Sequence, residues 1–359
     1  MQFGSDTPAW GDRTMTLGGN MSSKVGPPEG RWIKGGRLRS TLGVTLRTVT
    51  FRDLPVGWEA ANVLLMHHAF GSSWDPRKLS TRPFESQYPG YAEYVGLCTV
   101  EGSRIVSSIV VRHFPFRTRK GEVTCSGLGH VATLPTRSRQ GLARKLIERA
   151  HNRERQSGSP FMLLYTGRSI VAHGLYESLG YHDVLEFPIA ARLVPPGKRA
   201  LPRGWRWRRA RQEDRHPIEE LRAVLSEGRC GFSRVGVDWW SGPQGWFVLE
   251  RDGNIVGYAS LKTEGKLRAC HEGMARTAMA QALLLRSLET EASGGWLLLG
   301  SPLLYELRGT PGIRAYRRER GSYTVLMAKS LNGPHIPFDL AHELGTDRPG
   351  FLIGVADFF

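Results

Sequence analysis

The chain has 359 residues, 40% of them hydrophobic, which is typical of two globular domains rather than one. No apolar run approaches the roughly 20 residues that a membrane-spanning helix needs. The four cysteines are too scattered for a zinc site or a disulfide scaffold. Residues 1–43 are rich in Gly, Ser and Pro and lack the apolar stretch of a secretory signal. We therefore expect a flexible extension there, and a cytoplasmic protein with no metal site and no membrane association.

The formal net charge of +16 favours polyanionic partners, such as a phosphorylated cofactor, nucleic acid or an acidic surface. A basic run over 198–211 carries Trp205 and Trp207 between arginines, and aromatic side chains placed in this way can stack on bases. The other interpretation is a linker whose tryptophans pack on neighbouring domains. Charge alone does not choose between these partners.

From Val44 onward, segments with strand periodicity alternate with segments of helical periodicity. A first α/β unit is therefore predicted over 44–194. Its predicted elements are a strand over 45–51, a helix over 58–69, a hairpin over 94–114, a strand over 123–134, a helix over 141–156, a strand over 161–165, a helix over 169–178 and strands over 181–193.

Prolines and glycines over 195–204 interrupt the periodicity and predict a linker. After it a strand, a helix and a hairpin recur in the same order, and the hairpin ERDGNIVGYASL resembles the earlier VEGSRIVSSIVV. An internal duplication is therefore predicted, with a second unit over 205–332 and a tail over 333–359. The later elements of the second unit are a predicted helix over 275–292, a strand at WLLLG and a final strand at YTVLMAKSL.

The segment SGLGHVATLPTRSRQGLARKL places a buried strand, a Pro-containing turn and an amphipathic helix in succession. Backbone N–H groups at a helix N-terminus bind phosphate oxygens, and Gly141 lets a ligand approach without a Cβ in the way. Arg137, Arg139 and Arg144 add charge suited to a pyrophosphate. A turn of this kind, taken alone, is also compatible with a well-made connection between two elements.

A second segment, SIVAHGLYESLGYHDV, follows about 30 residues downstream. Together the two segments resemble the GNAT superfamily of N-acetyltransferases over roughly residues 44–194. The matching positions are Val131, Pro135, Ser138, Arg139, Gln140, Gly141, Leu142, Ala143, Ser169, Ala172, Tyr176, Gly180 and Tyr181. Ser138 and Ser169 depart from the Gln or Arg and the Asn that the family carries at those positions.

The resemblance implies an α/β fold of two tandem GNAT-like domains, each with a central mixed sheet flanked by helices. It also implies transfer of an acetyl group from acetyl-CoA to a primary amine of a small molecule, a protein lysine or an N-terminus, by direct attack in a ternary complex. The residues it implies for acetyl-CoA binding are Val131, Ala132, Thr133, Ser138, Arg139, Gln140, Gly141, Leu142, Ala143, Arg144, Ser169 and Ala172.

The family places a tyrosine close to the thioester sulfur, and Tyr176 stands at that position as the expected acid for the leaving thiolate. Its helix pattern alone favours a core aromatic. The base is open, because the strand lacks the glutamate that many members use. His130 is the first candidate, with a histidine that lines the acceptor pocket as the alternative. A buried structural role is expected for Cys125.

The tandem units resemble, within this superfamily, the enhanced-intracellular-survival (Eis) group, without its third domain. In that group the second unit is degenerate, and here it offers no glycine cradle at a helix start. The group's C-terminal carboxylate acts as a base, which makes Phe359 a further candidate, with an ordinary packed tail as the alternative. A homo-oligomer is compatible with this reading. The competing function is a basic nucleic-acid- or ribosome-binding protein that retains the scaffold.

Overall fold

The computed structural model describes residues 45–50, 65, 68–69, 94–101, 104–197, 199–232, 243–318, 324–333, 337–347 and 351. The predicted N-terminal extension and Phe359 lie outside these ranges. The predicted helix over 58–69 is described only at residues 65, 68 and 69, which are helical. None of the described helices is both long and apolar enough to cross a membrane.

The described chain alternates strands and helices. The strands are β1 (Thr45–Thr50), β2 (Tyr94–Glu101), β3 (Arg104–Thr118), β4 (Gly121–Thr133), β5 (Phe161–Gly167), β6 (His182–Glu186), β7 (Ala190–Leu193), β8 (Trp205–Arg209), β9 (Gly231–Phe232), β10 (Trp246–Arg251), β11 (Asn254–Glu264), β12 (Leu267–Ala275), β13 (Trp296–Leu299), β14 (Arg317–Arg318) and β15 (Thr324–Ser330). The helices are α1 (Leu142–Gln156), α2 (Val171–Ser178), α3 (Arg215–Ser226), α4 (Ala278–Glu291), α5 (Ser301–Glu306) and α6 (Pro337–Leu344).

These strands form two mixed sheets, so the predicted α/β class is confirmed. The first sheet has the order β1-β2-β3-β4-β5-β15-β6, with β9 added beside β3. The second has the order β14-β7-β13-β12-β11-β10-β8. Each contains one parallel pair, β4 with β5 and β12 with β13. Both predicted hairpins are present, as β2 with β3 and β10 with β11.

Two strands lie in different sheets from those expected from their order in the sequence. Strand β15 was assigned to the second unit, but it lies between β5 and β6 of the first sheet. Strand β7 was assigned to the first unit, but it pairs with β13 and β14 of the second sheet. Val325, Leu326, Met327 and Ala328 are all fully buried, and a strand buried on both faces suits a central position. Periodicity identifies such a strand but not its sheet.

Helices cover the first sheet on both faces. On one face α1 packs through Leu146 and Ile147 and α2 packs through Tyr176. Val325 and Met327 belong to the same cluster. On the other face α6 packs through Leu340 and Leu344. No helix was predicted in the tail, yet α6 is held by apolar contacts. Ion pairs of Arg119 with Asp347 and of Lys120 with Glu343 add to them.

The second sheet is built in the same way. Helix α3 packs on one face through Ile218 and Leu221. Helices α4 and α5 pack on the other face, where Leu288, Leu299 and Leu303 are fully buried. Strand β12 and helix α5 were not predicted. Charged residues interrupt the apolar pattern of β12, and α5 has only six residues, so periodicity alone identifies neither element.

The position of β15 predicts that the first unit does not fold alone. A chain that ends at Gly204 loses the pairing partner of both β5 and β6, along with the apolar side chains of β15. We expect it to show no cooperative thermal unfolding transition by circular dichroism, and to regain one when a peptide containing Thr324–Ser330 is added. A cooperative transition at the midpoint of the whole chain, without the peptide, would contradict this expectation.

Candidate active site

Strands β4 and β5 separate part of the way along their length. They pair only at Ser126 with Met162 and at Gly127 with Leu163 within the described chain, although β4 runs on to Thr133. Opposite β3, two residues of β4, His130 and Val131, face one residue. This arrangement is a β-bulge, which bends a strand and interrupts its ladder. The two strands therefore enclose a V-shaped opening at the carboxyl ends of β4 and β5.

The turn after β4 leads directly into α1. Gly141 has φ 72° and stands just before the helix, which has no side-chain cap. Arg139 also has a positive φ, 59°. Within the described ranges, the amides of residues 139–144 donate no hydrogen bond, and the first helical bond runs from the amide of Lys145 to the carbonyl of Gly141. The turn thus presents a row of N–H groups of the kind that binds phosphate.

Some side chains of this turn make hydrogen bonds within the protein, and others face outward. Ser138 Oγ donates to the carbonyl of Pro135 over 2.8 Å. Arg137 binds Glu101 through two hydrogen bonds of 2.9 and 2.6 Å. The charge of Arg137, which the sequence suggested for a pyrophosphate, is therefore paired with Glu101 instead. Arg139 is exposed.

The side chains of Arg144 and Gln140 differ in their hydrogen-bond partners. The Nη2 of Arg144 donates to Ser178 Oγ over 2.6 Å and so joins α1 to α2. The side-chain oxygen of Gln140 is buried and accepts no hydrogen bond from the described residues. A buried polar atom without a partner is costly, so this oxygen is a group that a ligand can satisfy.

Tyr176 lies on α2, where only 6% of its surface is exposed. Val131 and Ala172 pack against the same apolar cluster, so the structure brings these three predicted residues together. The ring of Tyr176 meets that of Tyr181 edge to face at 5.9 Å. Burial raises the pKa of Tyr176 to about 12. The phenol is therefore protonated at neutral pH and can donate a proton.

His130 occupies the bulge of β4 with φ 50°, a conformation uncommon for a residue other than glycine. The side chain is half-buried, and burial lowers its pKa. The imidazole is therefore neutral at neutral pH and able to accept a proton.

The remaining predicted residues lie around this opening in different settings. Ala132 is buried on the opposite face of β4, and the hydroxyl of Thr133 lies 2.8 Å from that of Ser107. Ser169 is exposed in the turn before α2. Cys125 is buried, and burial raises the pKa of its thiol far above the usual range, so it remains protonated and unreactive.

A buried polar cluster beneath α1 was missed by the sequence reasoning. Glu154 is fully buried, where it contacts His113 and accepts a hydrogen bond of 2.8 Å from Ser126 Oγ. Burial alone would raise the pKa of this carboxyl, but the bonds from His113 and Ser126 outweigh burial and lower it. The cluster ties the end of α1 to β3 and β4. Its signal was available, because Glu154 continues the apolar face of α1 that carries Ala150.

The second sheet has two comparable strand features, but the residues around them differ. Strand β12 carries one extra residue opposite β11, and its pairing with β13 ends at Cys270. The start of α4, however, is capped by Thr277, whose side chain accepts from the amide of Ala280 over 3.1 Å. Leu303 is fully buried, and an added Cβ on Gly273 would lie 3.2 Å from it. Leu303 therefore packs against β12 just after its extra residue, at the position equivalent to the opening of the first sheet.

The aromatic residues of the basic run are packed against the second unit. The ring of Trp207 stacks on Phe247 at 5.2 Å with an interplanar angle of 7°, and its indole N–H donates to Glu291. Arg208 pairs with both Asp214 and Glu250. This geometry agrees with the packed-linker interpretation of the run and leaves the Trp207 ring face in contact with protein.

Known proteins share both the domain and the fold. Residues 58–184 match the family model of the acetyltransferase (GNAT) domain. The chain is similar to a GCN5-related N-acetyltransferase from Kribbella flavida, with 16% identity, a TM-score of 0.57 and coverage of 80% of this chain and 72% of that one. A probable N-acyltransferase from Enterococcus faecalis V583 has 13% identity, a TM-score of 0.60 and coverage of 80% and 73%.

Eis1 from Mycobacterium abscessus is also similar, with 14% identity, a TM-score of 0.52 and coverage of 80% and 73%. At these identities the structural likeness establishes the fold alone. No curated protein matches the chain. The family match and the fold agree that residues 58–184 form an acetyltransferase (GNAT) domain, the domain of N-acyltransferases.

The positive φ of Gly141 predicts opposite effects for two glycine substitutions in this site. Gly141→Ala forces an alanine into the left-handed region, so we expect a loss of about 1 kcal/mol in the free energy of unfolding. Gly174→Ala is the matched control, because Gly174 is helical with open space around it, and we expect a gain of up to about 1 kcal/mol. Denaturant unfolding without ligand measures both. Equal effects of the two substitutions would contradict the assigned conformation of Gly141.

Proposed function

We propose that the first unit transfers an acetyl group from acetyl-CoA to a primary amine of a small molecule, a protein lysine or an N-terminus. The observation that carries this proposal is the row of unpaired amides from Arg139 to Arg144 beside the opening between β4 and β5. The second unit is proposed to be catalytically inactive, because Thr277 caps its helix and Leu303 packs at the position equivalent to the opening.

The residues of the turn fit the phosphate groups of acetyl-CoA. The amides of residues 139–144 suit a pyrophosphate, and the charges of Arg139 and Arg144 lie next to them. A Cβ on Gly141 would meet no atom within 4 Å, so the space in front of the turn is open. Val131 and Ala172 would border the pantetheine arm, with Ala132, Thr133, Ser138, Gln140, Leu142, Ala143 and Ser169 as further proposed contacts.

Acetyl-CoA supplies the acetyl group as an activated thioester. Tyr176 is proposed to donate its phenolic proton to the departing sulfur, which its raised pKa permits because the phenol stays neutral. Amides of β4 that face the opening, such as that of Val131, are proposed to stabilise negative charge on the carbonyl oxygen.

Two groups are proposed as alternatives for the base that deprotonates the acceptor amine. His130 is neutral and lies on the bulge of β4. The Phe359 carboxylate is the other, and the described tail reaches Phe351, which packs against Phe116. Only His130 would give an acid limb in the pH dependence of kcat/KM that disappears in His130→Gln. An unchanged limb in that variant would favour Phe359.

Acetyl-CoA binding tests the proposed donor. At 100 times its Kd, we expect it to stabilise the chain by about 2.7 kcal/mol. Arg139→Gln should weaken binding about tenfold, because a charge-assisted contact contributes on the order of 1.4 kcal/mol. Arg206→Gln, an exposed arginine of β8, is the matched control and should leave the shift unchanged. The absence of any shift at saturating acetyl-CoA would contradict the proposal.

Replacement of Tyr176 tests the proposed acid. Tyr176→Phe should lower kcat by a factor of about 100 or more and leave the Kd for acetyl-CoA unchanged. Tyr181→Phe is the matched control, because it removes a hydroxyl that lies 2.9 Å from His151 Nε2. That variant should lose stability while keeping kcat. Steady-state kinetics with CoA release as the readout measures kcat for both variants. Full turnover in Tyr176→Phe would exclude Tyr176 as the acid.

A further inference from the structure

A second concave site lies beside the first sheet, far from the cofactor turn, the residues 139–144 that are proposed to bind acetyl-CoA. It is an open cavity of about 710 Å³, bordered by the last turn of α1, the start of β6 and the end of β15. Helix α1 has 15 residues and is therefore about 22 Å long. The turn lies at its N-terminus, while Arg155 lines the cavity at its other end. The two sites are thus separate.

Positive charge dominates the wall of this cavity. Arg155, Lys329 and His182 line it, and none of the described residues that line it is acidic. The Lys329 ammonium donates to the carbonyl of Leu179 over 2.5 Å. The Arg155 guanidinium donates to the carbonyl of Leu331 over 2.9 Å and to the amide oxygen of Asn152 over 2.9 Å. The hydrogen bonds of both cations within the described residues therefore go to neutral oxygens.

The neighbouring groups show the effect of this uncompensated charge. Burial and the charge of Arg155 lower the pKa of Lys329. His151 lies just behind, where burial, Lys329 and Arg155 together lower its pKa to about 3. Like charges held close together raise the electrostatic energy of the folded chain, and an anion between Arg155 and Lys329 would relieve this cost.

The remaining residues that line the cavity indicate what else a ligand there would contact. Leu331 and Leu340 lie beneath the cavity with 2% and 0% of their surface exposed, whereas Asn332 borders it with an amide. Sites for small organic ligands commonly have volumes of roughly 300 to 1,000 Å³ and combine apolar walls with a few placed polar groups. The cavity has a volume in this range and carries placed polar groups.

We propose that this cavity binds a small organic phosphate, with the phosphate group between Arg155 and Lys329 and its organic part beside Asn332 and Gly333. A phosphate dianion matches the two positive charges, and His182 offers a third donor. The ligand would join the ends of α1 and β15, the strand that completes the first sheet. Occupation of the site therefore stabilises the folded chain.

Thermal unfolding with glycerol 3-phosphate as the probe tests this site in the whole chain. We expect a saturable rise in Tm for the wild type and an affinity at least tenfold lower in Arg155→Gln. Arg153→Gln is the matched control, since it removes an exposed charge from the same helix outside the cavity and should bind as the wild type does. Any binding at the cofactor turn remains in both variants, so their difference reports the cavity alone.

A second variant and two salt controls test the site if the Arg155→Gln variant is too unstable to measure. His182→Gln alters a lining residue and should weaken binding several-fold. Sodium chloride at equal ionic strength and acetate should give little or no shift. Equal affinity in the wild type and the cavity variants, or an equal shift with sodium chloride, would overturn the site. A larger shift with acetate would overturn its assignment to phosphate.

Discussion

The separation of β4 from β5 is the constraint on which the proposed chemistry depends. Their parallel ladder ends at Gly127, and the extra residue at the bulge turns the rest of β4 away from its neighbour. Backbone N–H and C=O groups that would otherwise pair in the ladder therefore line an opening. The same departure of β4 directs the chain into the turn at Gly141, so the amides proposed to bind phosphate and the histidine of the bulge result from one local distortion.

The exchange of β7 and β15 makes the two sheets mutually dependent. β15 supplies a doubly buried strand to the first sheet, and β7 joins the second sheet beside β13. Pairing between residues this distant in sequence carries a large loop-closure cost, which apolar burial on both faces of β15 offsets. The exchange also places Lys329 beside α1 and thereby creates the basic cavity, which neither sequence half contains alone.

The sequence predicted local features well and distant pairings poorly. The turn around Gly141, the helix after it and the helix that carries Tyr176 follow from capping, periodicity and motif, which are properties of short segments. Which sheet β15 joins is decided by competition among several strand edges that could pair with it. The pairing of Arg137 with Glu101 and the burial of Glu154 depend likewise on neighbours 36 and 41 residues away. Such contacts have no signature in a local window.

The two units show how small the difference is between an open site and a closed one. Both have an extra residue on the fourth strand of the unit and a short parallel pair that ends early. In the first unit a glycine at φ 72° leaves the helix start uncapped, an arrangement that is less stable than a side-chain cap. In the second unit Thr277 satisfies one of these amides and Leu303 packs at the position equivalent to the opening. The proposed binding site is therefore the place where the first unit keeps polar groups unsatisfied, and the second unit has gained stability at the same positions.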